Sequence, residues 1–462
     1  MLESHRGFHF LGIGGAGMSA LAELLLARGH AVSGCDVTLG RGTERLVSIG
    51  AEIFAGHSAE HLEASDALVV SAAVAAGNPE LAAARRRGQP VIRRAELLGS
   101  LMEAARGIAV AGTHGKSTTT AMVGSILAAA GWNPTVLVGG RIRGEGGNVR
   151  IGGDEWIVAE ADEFDRSFLA LFPEHAIINN IEADHLDTYG SLDALQEAFQ
   201  RFAGQVADGG TLALGIDDPG VRDLPTPAGR RVVTFGTGEN ADVMAAAIEC
   251  RRIETRFDLR FPDGRREAVT LTLPGRHNVR NALGAAALGW SLGVDPTAIR
   301  TGLGAVRGVE RRFEIVHENA EVLIVDDYAH HPTEIAATLE SARAGWPGRR
   351  IVAVFQPHLY SRTRDFATDF GAALTRADIV FVTDVYPARE APIPGVTGER
   401  VIEAARAAGS DDVTYLRDGT TAEAIATVEA RLLPGDLVLT LGAGDIDRLA
   451  RRLAERRSDG RR

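Results

Sequence analysis

The chain has 462 residues, 45% of them hydrophobic and 24% charged, with a net charge of −12. That length exceeds one ordinary core, so roughly two to four domains are expected, and the composition is that of a soluble globular protein. The acidic balance excludes broad nucleic-acid binding, no apolar run reaches the length of a membrane span, and Cys35 and Cys250 are too few for a disulfide framework. Met1–Gly17 has no basic segment followed by an apolar stretch and a cleavage site, so a cytoplasmic location is expected.

In chain order, Phe8–Ile13 is expected as a strand, Met18–Arg28 as a helix, and Ala31–Cys35, Ala67–Ser71 and Pro90–Ile92 as further strands. Such alternation implies a parallel sheet with helices on both faces. Gly12, Gly14, Gly15 and Gly17 follow the first strand and open a helix, a G-x-G-x-x-G pattern that lets backbone approach a pyrophosphate. Asp36 closes the second strand, where a ribose-binding acid is expected. The pattern specifies a diphosphate ligand and leaves open which one.

The next segment opens with strand Ile108–Ala111, a loop Gly112–Ser117, and a helix Thr118–Ala130. Of 49 Lys and Arg residues the only lysine is Lys116, inside this loop. A compact ammonium fits a nest of backbone N–H groups where a planar guanidinium does not. The loop is not a strict Walker A, because Val110 holds the first glycine position, yet the chemistry is retained: Gly115 N–H groups and Lys116 for phosphates, the Ser117 hydroxyl for Mg²⁺. Two phosphate-type sites in consecutive domains disfavour a simple dehydrogenase.

Acidic clusters Glu160–Asp165 and Asn179–His185 follow expected strands Trp156–Ala159 and His175–Asn179, so both should lie beside the phosphate loop. Glu160 and His185 are expected to contact metal, whereas Asp162, Glu163 and Asp165 read equally well as solvated loop acids. Residues 210–275 read as β-rich, with a helix Asn278–Leu292 after them. A last strand–helix alternation carries Val322–Val325, Ile351–Phe355, Ile379–Thr383, Val413–Leu416 and Leu437–Leu441, and the basic tail Arg451–Arg462 is expected to fray.

Taken together, His9–Met18, Gly112–Thr120, Glu160–Phe168, Asn180–Tyr189, Pro274–Asn278, Arg311–Phe313, Asp326–Glu334, Phe355–His358, Ser361–Asp365 and Gly442–Gly444 resemble the Mur ligase family, in order and over nearly the whole chain. The resemblance implies an α/β protein of three domains. These are a Rossmann-like UDP-sugar-binding domain at 1–106, a P-loop-type ATP- and Mg²⁺-binding α/β domain with a β-rich part at 107–312, and a Rossmann-like amino-acid-binding domain at 313–462. It implies that ATP phosphorylates the carboxylate of UDP-N-acetylmuramate and that the amine of L-alanine then displaces phosphate. It implies further that Gly12, Gly14, Gly15, Gly17, Asp36, His57 and Ser71 bind the UDP-sugar, and that Gly112, Thr113, Gly115, Lys116, Ser117, Thr118, Asn278, Asn281, Arg312 and Asp326 bind ATP. Ser117, Glu160 and His185 would hold Mg²⁺, His114 would sit by the substrate carboxylate, and His330, Arg362 and Arg364 would line the alanine site.

Some positions depart from the family. Sister ligases use a carbamylated lysine that this chain lacks, Leu359 stands where relatives carry arginine, and Asp445 replaces an asparagine. Within the family, a ligase that joins a recycled murein tripeptide to the same sugar nucleotide is the alternative, although Asp184–Tyr189 resembles the alanine-adding members more. Outside it stand a nicotinamide-dependent oxidoreductase and a non-catalytic nucleotide-binding scaffold. The chain is expected to act as a monomer or homodimer, without nucleic-acid or membrane partners.

Overall fold

The computed structural model describes residues 5–75 and 77–459, built on three sheets. The first contains β1 (Gly7–Leu11), β2 (Ala31–Asp36), β3 (Glu52–Ala55), β4 (Ala67–Val70) and β5 (Val91–Arg93), all parallel, in the order β3-β2-β1-β4-β5. The strand order reverses between β1 and β4, so their carboxyl ends border a crevice. β1 stops at Leu11, short of the expected Ile13, because Gly12 turns the chain at φ +84° and both Gly12 and Ile13 donate their N–H groups to Cys35 O.

The second sheet places β6 (Arg106–Ala111), β7 (Thr135–Leu137), β8 (Val149–Arg150), β9 (Trp156–Glu160), β10 (His175–Ile178), β11 (Thr211–Gly215) and β12 (Arg231–Gly236) in the order β12-β11-β10-β6-β9-β7-β8. Only the β7–β8 pair in that run is antiparallel. β6 is buried from Gly107 to Ala111 and lies between β9 and β10, so the loops after these three strands share one end of the sheet. Residues 210–275 are β-rich as expected: β11 and β12 are parallel members of this sheet, and β13 (Val243–Arg251), β14 (Glu254–Arg260) and β15 (Arg266–Leu271) continue it beyond β12.

The third sheet holds β16 (Glu314–Glu318), β17 (Val322–Asp327), β18 (Ile351–Phe355), β19 (Ile379–Thr383), β20 (Val413–Leu416) and β21 (Asp436–Leu441), ordered β16-β17-β21-β18-β19-β20. All pairs are parallel except β16–β17. The expected fraying of the tail is corrected through residue 459: helix Asp447–Asp459 buries Leu449, Ala450, Leu453 and Ala454 against this sheet, and residues 460–462 lie outside the described part.

The chain divides into two compact units, one running up to Ala247 with Phe257–Val269 and Arg280–Val309, the other taking Ile248–Arg256, Thr270–Val279 and Glu310 onward. Among the described residues no helix is long and apolar enough to cross a membrane.

Candidate functional site

The loop after β6 wraps around one ammonium. Lys116 begins helix Lys116–Ala129, and its Nζ donates to Gly112 O at 2.8 Å, Thr113 O at 3.2 Å and Glu163 Oε2 at 2.7 Å. Burial alone would lower the ammonium's pKa, but the carboxylates of Glu163 and Asp162 overturn that and raise it. The Glu163 side chain is 1% exposed, and burial pushes its carboxyl up to about 7 against the pull of Lys116. Two glycines give the loop its shape: Gly112 at φ +136° and Gly115 at φ +82°, where an added Cβ would run into Asn281 Oδ1.

The β10 loop fixes the phosphate loop from the other side. Thr113 N–H donates to Asn180 O at 3.1 Å, His114 N–H to Asn180 Oδ1 at 2.7 Å, and Thr113 Oγ1 exchanges hydrogen bonds with the Glu182 backbone. His114 Nε2 lies 3.5 Å from Glu182 Oε2. Both acidic clusters therefore flank the loop, as the strand order requires.

A hard-donor set surrounds Lys116. Asp162, Glu163 and His185 each present a ligand atom within 4.8 Å of one another, and His185 Nε2 is 3.8 Å from Glu163 Oε1. His185 reaches inward from a left-handed backbone at φ 52°. Ser117 bonds to Glu160, whose carboxyl burial pushes up, while Gly139 N–H also donates to it. Oxygen donors with one imidazole fit a divalent cation such as Mg²⁺. Of the expected set Ser117, Glu160 and His185, Ser117 and Glu160 bond to each other, whereas His185 groups with Asp162 and Glu163. Glu163 was not separable from a solvated loop acid by sequence; its burial against Lys116 is a tertiary fact.

At the first sheet, Gly14 N–H donates to Asp36 Oδ2 at 2.9 Å, and a Cβ on Gly14 would meet that oxygen. Gly15 caps helix Ala16–Ala27, Gly17 faces the Arg94 side chain, and Ser71 stands beside Gly12. His57, whose side chain is 26% exposed, has its Nδ1 3.2 Å from Cys35 Sγ.

In the second unit, Asp326 is buried at the end of β17 and accepts from Arg311 Nε at 2.9 Å and Thr440 Oγ1 at 2.6 Å. Arg311, missed by the sequence reading, also donates to the carbonyls of Gly442 and Gly444. Arg312 instead pairs with Glu334 at 3.2 Å and lies over the Tyr328 ring. His330 Nδ1 lies 2.9 Å from Tyr328 O, a carbonyl that only accepts, so Nδ1 carries a proton, and Glu334 Oε2 lies 3.3 Å from the same nitrogen. Arg362 is buried, with Nη1 3.4 Å from His358 Nδ1, and the His358 ring lies 5.9 Å from that of His330. Arg364 does not join them; it is exposed and paired with Asp365 at 2.7 Å. Leu359 is buried beside this group at φ +70°, and Asp445 accepts from Gln356 Nε2 at 2.9 Å, a bond that asparagine could also accept, while its other oxygen lies 3.6 Å from Arg448 Nη1. Asn278 Nδ2 donates to Pro274 O at 2.8 Å.

Comparison with known proteins identifies the family. Residues 7–106 match the family described as Mur ligase family, catalytic domain, residues 110–289 the Mur ligase middle domain, and residues 311–444 the Mur ligase, glutamate ligase domain. The UDP-N-acetylmuramate–L-alanine ligase of Chlorobium phaeobacteroides (strain BS1) is 47% identical over 458 residues, covering 98% of both chains. The crystal structure of UDP-N-acetylmuramate-alanine ligase from Thermotoga maritima superposes with a TM-score of 0.83 at 31% identity, covering 98% of this chain and 99% of that one. A murein peptide ligase from Psychrobacter arcticus gives 0.71 at 26% identity, over 97% and 98%. The chain belongs to the Mur ligase family.

Proposed function

We propose that the chain is an ATP-dependent ligase that joins L-alanine to the carboxylate of UDP-N-acetylmuramate, forming ADP and phosphate, in the synthesis of peptidoglycan precursors. The near full-length likeness to the Chlorobium enzyme carries this reading. ATP and the sugar nucleotide are cytoplasmic metabolites, so the enzyme works there, as a monomer or homodimer. Its tasks divide at about residues 106 and 312 into sugar-nucleotide, ATP and amino-acid binding.

A carboxylate is a poor electrophile, and transferring the γ-phosphoryl group to its oxygen supplies a leaving group while ADP departs. Lys116 exchanges its Glu163 partner for phosphate oxygens, and the first N–H groups of helix Lys116–Ala129 point at the same anions. Ser117, Glu160 and His185, with Asp162 and Glu163 beside His185, would hold Mg²⁺, which when bound would screen the phosphate charge. Asn278 and Asn281 serve the ATP base, Arg312 and Asp326 serve ATP, and His114 orients the substrate carboxylate. Arg362 binds the alanine carboxylate, and His330 lines the site where the amine forms the C–N bond, loses a proton and displaces phosphate. Gly12, Gly14, Gly15, Gly17, Asp36, His57 and Ser71 hold the UDP-sugar.

The test is phosphate release from Mg·ATP and UDP-N-acetylmuramate with L-alanine, glycine, L-serine or the murein tripeptide. Release dependent on both the sugar nucleotide and L-alanine supports the reading. Release with tripeptide alone moves the chain to cell-wall recycling, and no release with any acceptor overturns the reaction.

A further inference from the structure

A second cluster of ligand atoms lies under the glycine loop of the first sheet, away from the ATP residues. His9 on β1, Cys35 on β2, His61 in the turn Ala59–Leu62 and Glu80 at the start of helix Pro79–Arg87 each offer a ligand atom within 4.8 Å of the others. His9, Cys35 and Glu80 are fully buried, and the His61 side chain is 15% exposed. All converge on one carboxylate: His9 Nε2 and His61 Nδ1 are each 3.0 Å from Glu80, and Cys35 Sγ is 3.1 Å from it.

We propose that His9, Cys35, His61 and Glu80 form a binding site for a zinc-class divalent cation. The donor set is two nitrogens, one sulfur and one oxygen, the chemistry that four-coordinate zinc prefers over magnesium. The charge closes: one thiolate and one carboxylate neutralise the cation, and two neutral imidazoles add none, so no net charge is buried. Binding costs the Cys35 thiol its proton, which leaves to solvent. Without a cation that thiol keeps its proton, because burial and the adjacent Glu80 raise its pKa. Tetrahedral bonds to these atoms separate the donors by about 3.3–3.8 Å. The three spacings to Glu80, 3.0, 3.0 and 3.1 Å, fall a few tenths of an ångström short, and a small withdrawal of Glu80 supplies that difference, while all four ligand atoms already lie within 4.8 Å of one another.

Two further observations fit a metal site. His9 Nδ1 is 2.8 Å from Ser33 Oγ, the outer hydrogen bond that orients a ligating imidazole through its other nitrogen. His57, whose side chain is 26% exposed, stands 3.2 Å from Cys35 Sγ and opens the cluster toward solvent. The cation would tie β1, β2 and helix Pro79–Arg87 together where Cys35 O anchors the N–H groups of Gly12 and Ile13.

The experiment is Co²⁺ titration of the chelator-treated full-length protein in excess Mg²⁺, which occupies hard oxygen sites. A thiolate-to-cobalt charge-transfer band saturating near about one equivalent, bleached by Zn²⁺, is expected for the wild type and Cys250→Ser. In Cys35→Ser, where a hydroxyl preserves the hydrogen bonds, the band should vanish and cation affinity should fall by about 10-fold or more. Absence of the band from the folded wild type overturns the proposal whatever the variants do. Persistence in Cys35→Ser, or loss in Cys250→Ser, also overturns it.

Discussion

Lys116 Nζ and Glu163 Oε2 form a 2.7 Å ion pair inside the phosphate loop, with the Glu163 side chain only 1% exposed. A buried ammonium needs a counter-anion, and the pair keeps it oriented until phosphate oxygens replace the carboxylate. Lys116→Arg preserves charge but not size, since Gly112 O and Thr113 O close around a single nitrogen. We expect turnover to fall on the order of 10²-fold or more with the melting temperature little changed. Near-normal turnover in the arginine variant would show that ammonium size is not what the loop selects.

Gly115 and Asn281 are coupled by shape. At φ +82° a side chain costs about 1 kcal/mol, and an added Cβ also collides with Asn281 Oδ1. Gly115→Ala should abolish ATP turnover and lower stability. Adding Asn281→Ala should recover part of the stability loss and little activity, a non-additivity that denaturant titration of the four proteins measures. Strict additivity would mean that the collision is relieved elsewhere.

The parallel core strands were legible because each is a short run of Val, Ile, Leu, Phe and Ala: Ile351–Phe355, Ile379–Thr383 and Val413–Leu416 appear with their expected ends. Two edge strands, Glu52–Ala55 and Glu314–Glu318, escaped because their half-exposed residues carry no continuous apolar signal, and Thr135–Leu137 escaped, though buried inside its sheet, because three residues are too short a run. The phosphate loop was legible because its glycines and lysine obey local backbone chemistry. Glu163, Arg311 and Glu334 were not assigned roles, because each acts through a partner brought near only by folding.

Arg362 and Arg364 are two residues apart on helix Tyr360–Leu374, but only Arg362 is buried near His358. Arg362→Lys should raise the KM for L-alanine about 10-fold or more, because an ammonium cannot make the two parallel bonds that a guanidinium gives a carboxylate. Arg364→Ala, which removes an exposed pair with Asp365, should shift KM by less than about 3-fold. Initial rates across alanine concentrations separate the two; equal effects would return Arg364 to the site.

The Ser117 hydroxyl bonded to Glu160 gives a metal test. Ser117→Thr keeps the hydroxyl and should retain activity within about 3-fold, whereas Ser117→Ala should lose about 10²-fold and require more Mg²⁺ for half-maximal rate. Chelation should stop turnover in all three proteins, with Mg²⁺ restoring the wild type and the threonine variant. An unchanged Mg²⁺ requirement in Ser117→Ala would remove Ser117 from the metal set.

Asp327 stabilises an unusual joint. Phe313 sits at φ +44°, its N–H donating to Asp327 Oδ2 at 2.8 Å and its ring stacked on Trp346 at 5.6 Å. Burial pushes the Asp327 carboxyl up to about 6, although Arg312 pulls it down. The folded state therefore binds this proton more tightly than the unfolded chain does. The contribution is most favourable near pH 4 and is lost as pH rises through about 6, a swing of roughly 3 kcal/mol at most. Asp327→Asn removes the titration and leaves one N–H donor unsatisfied, costing about 1–3 kcal/mol. The stability of the wild type relative to this variant should decline from about pH 4 to pH 6 and then level, which tryptophan fluorescence during denaturation can follow. A difference independent of pH would mean that the Asp327 carboxyl is ionised throughout, with Arg312 outweighing its burial.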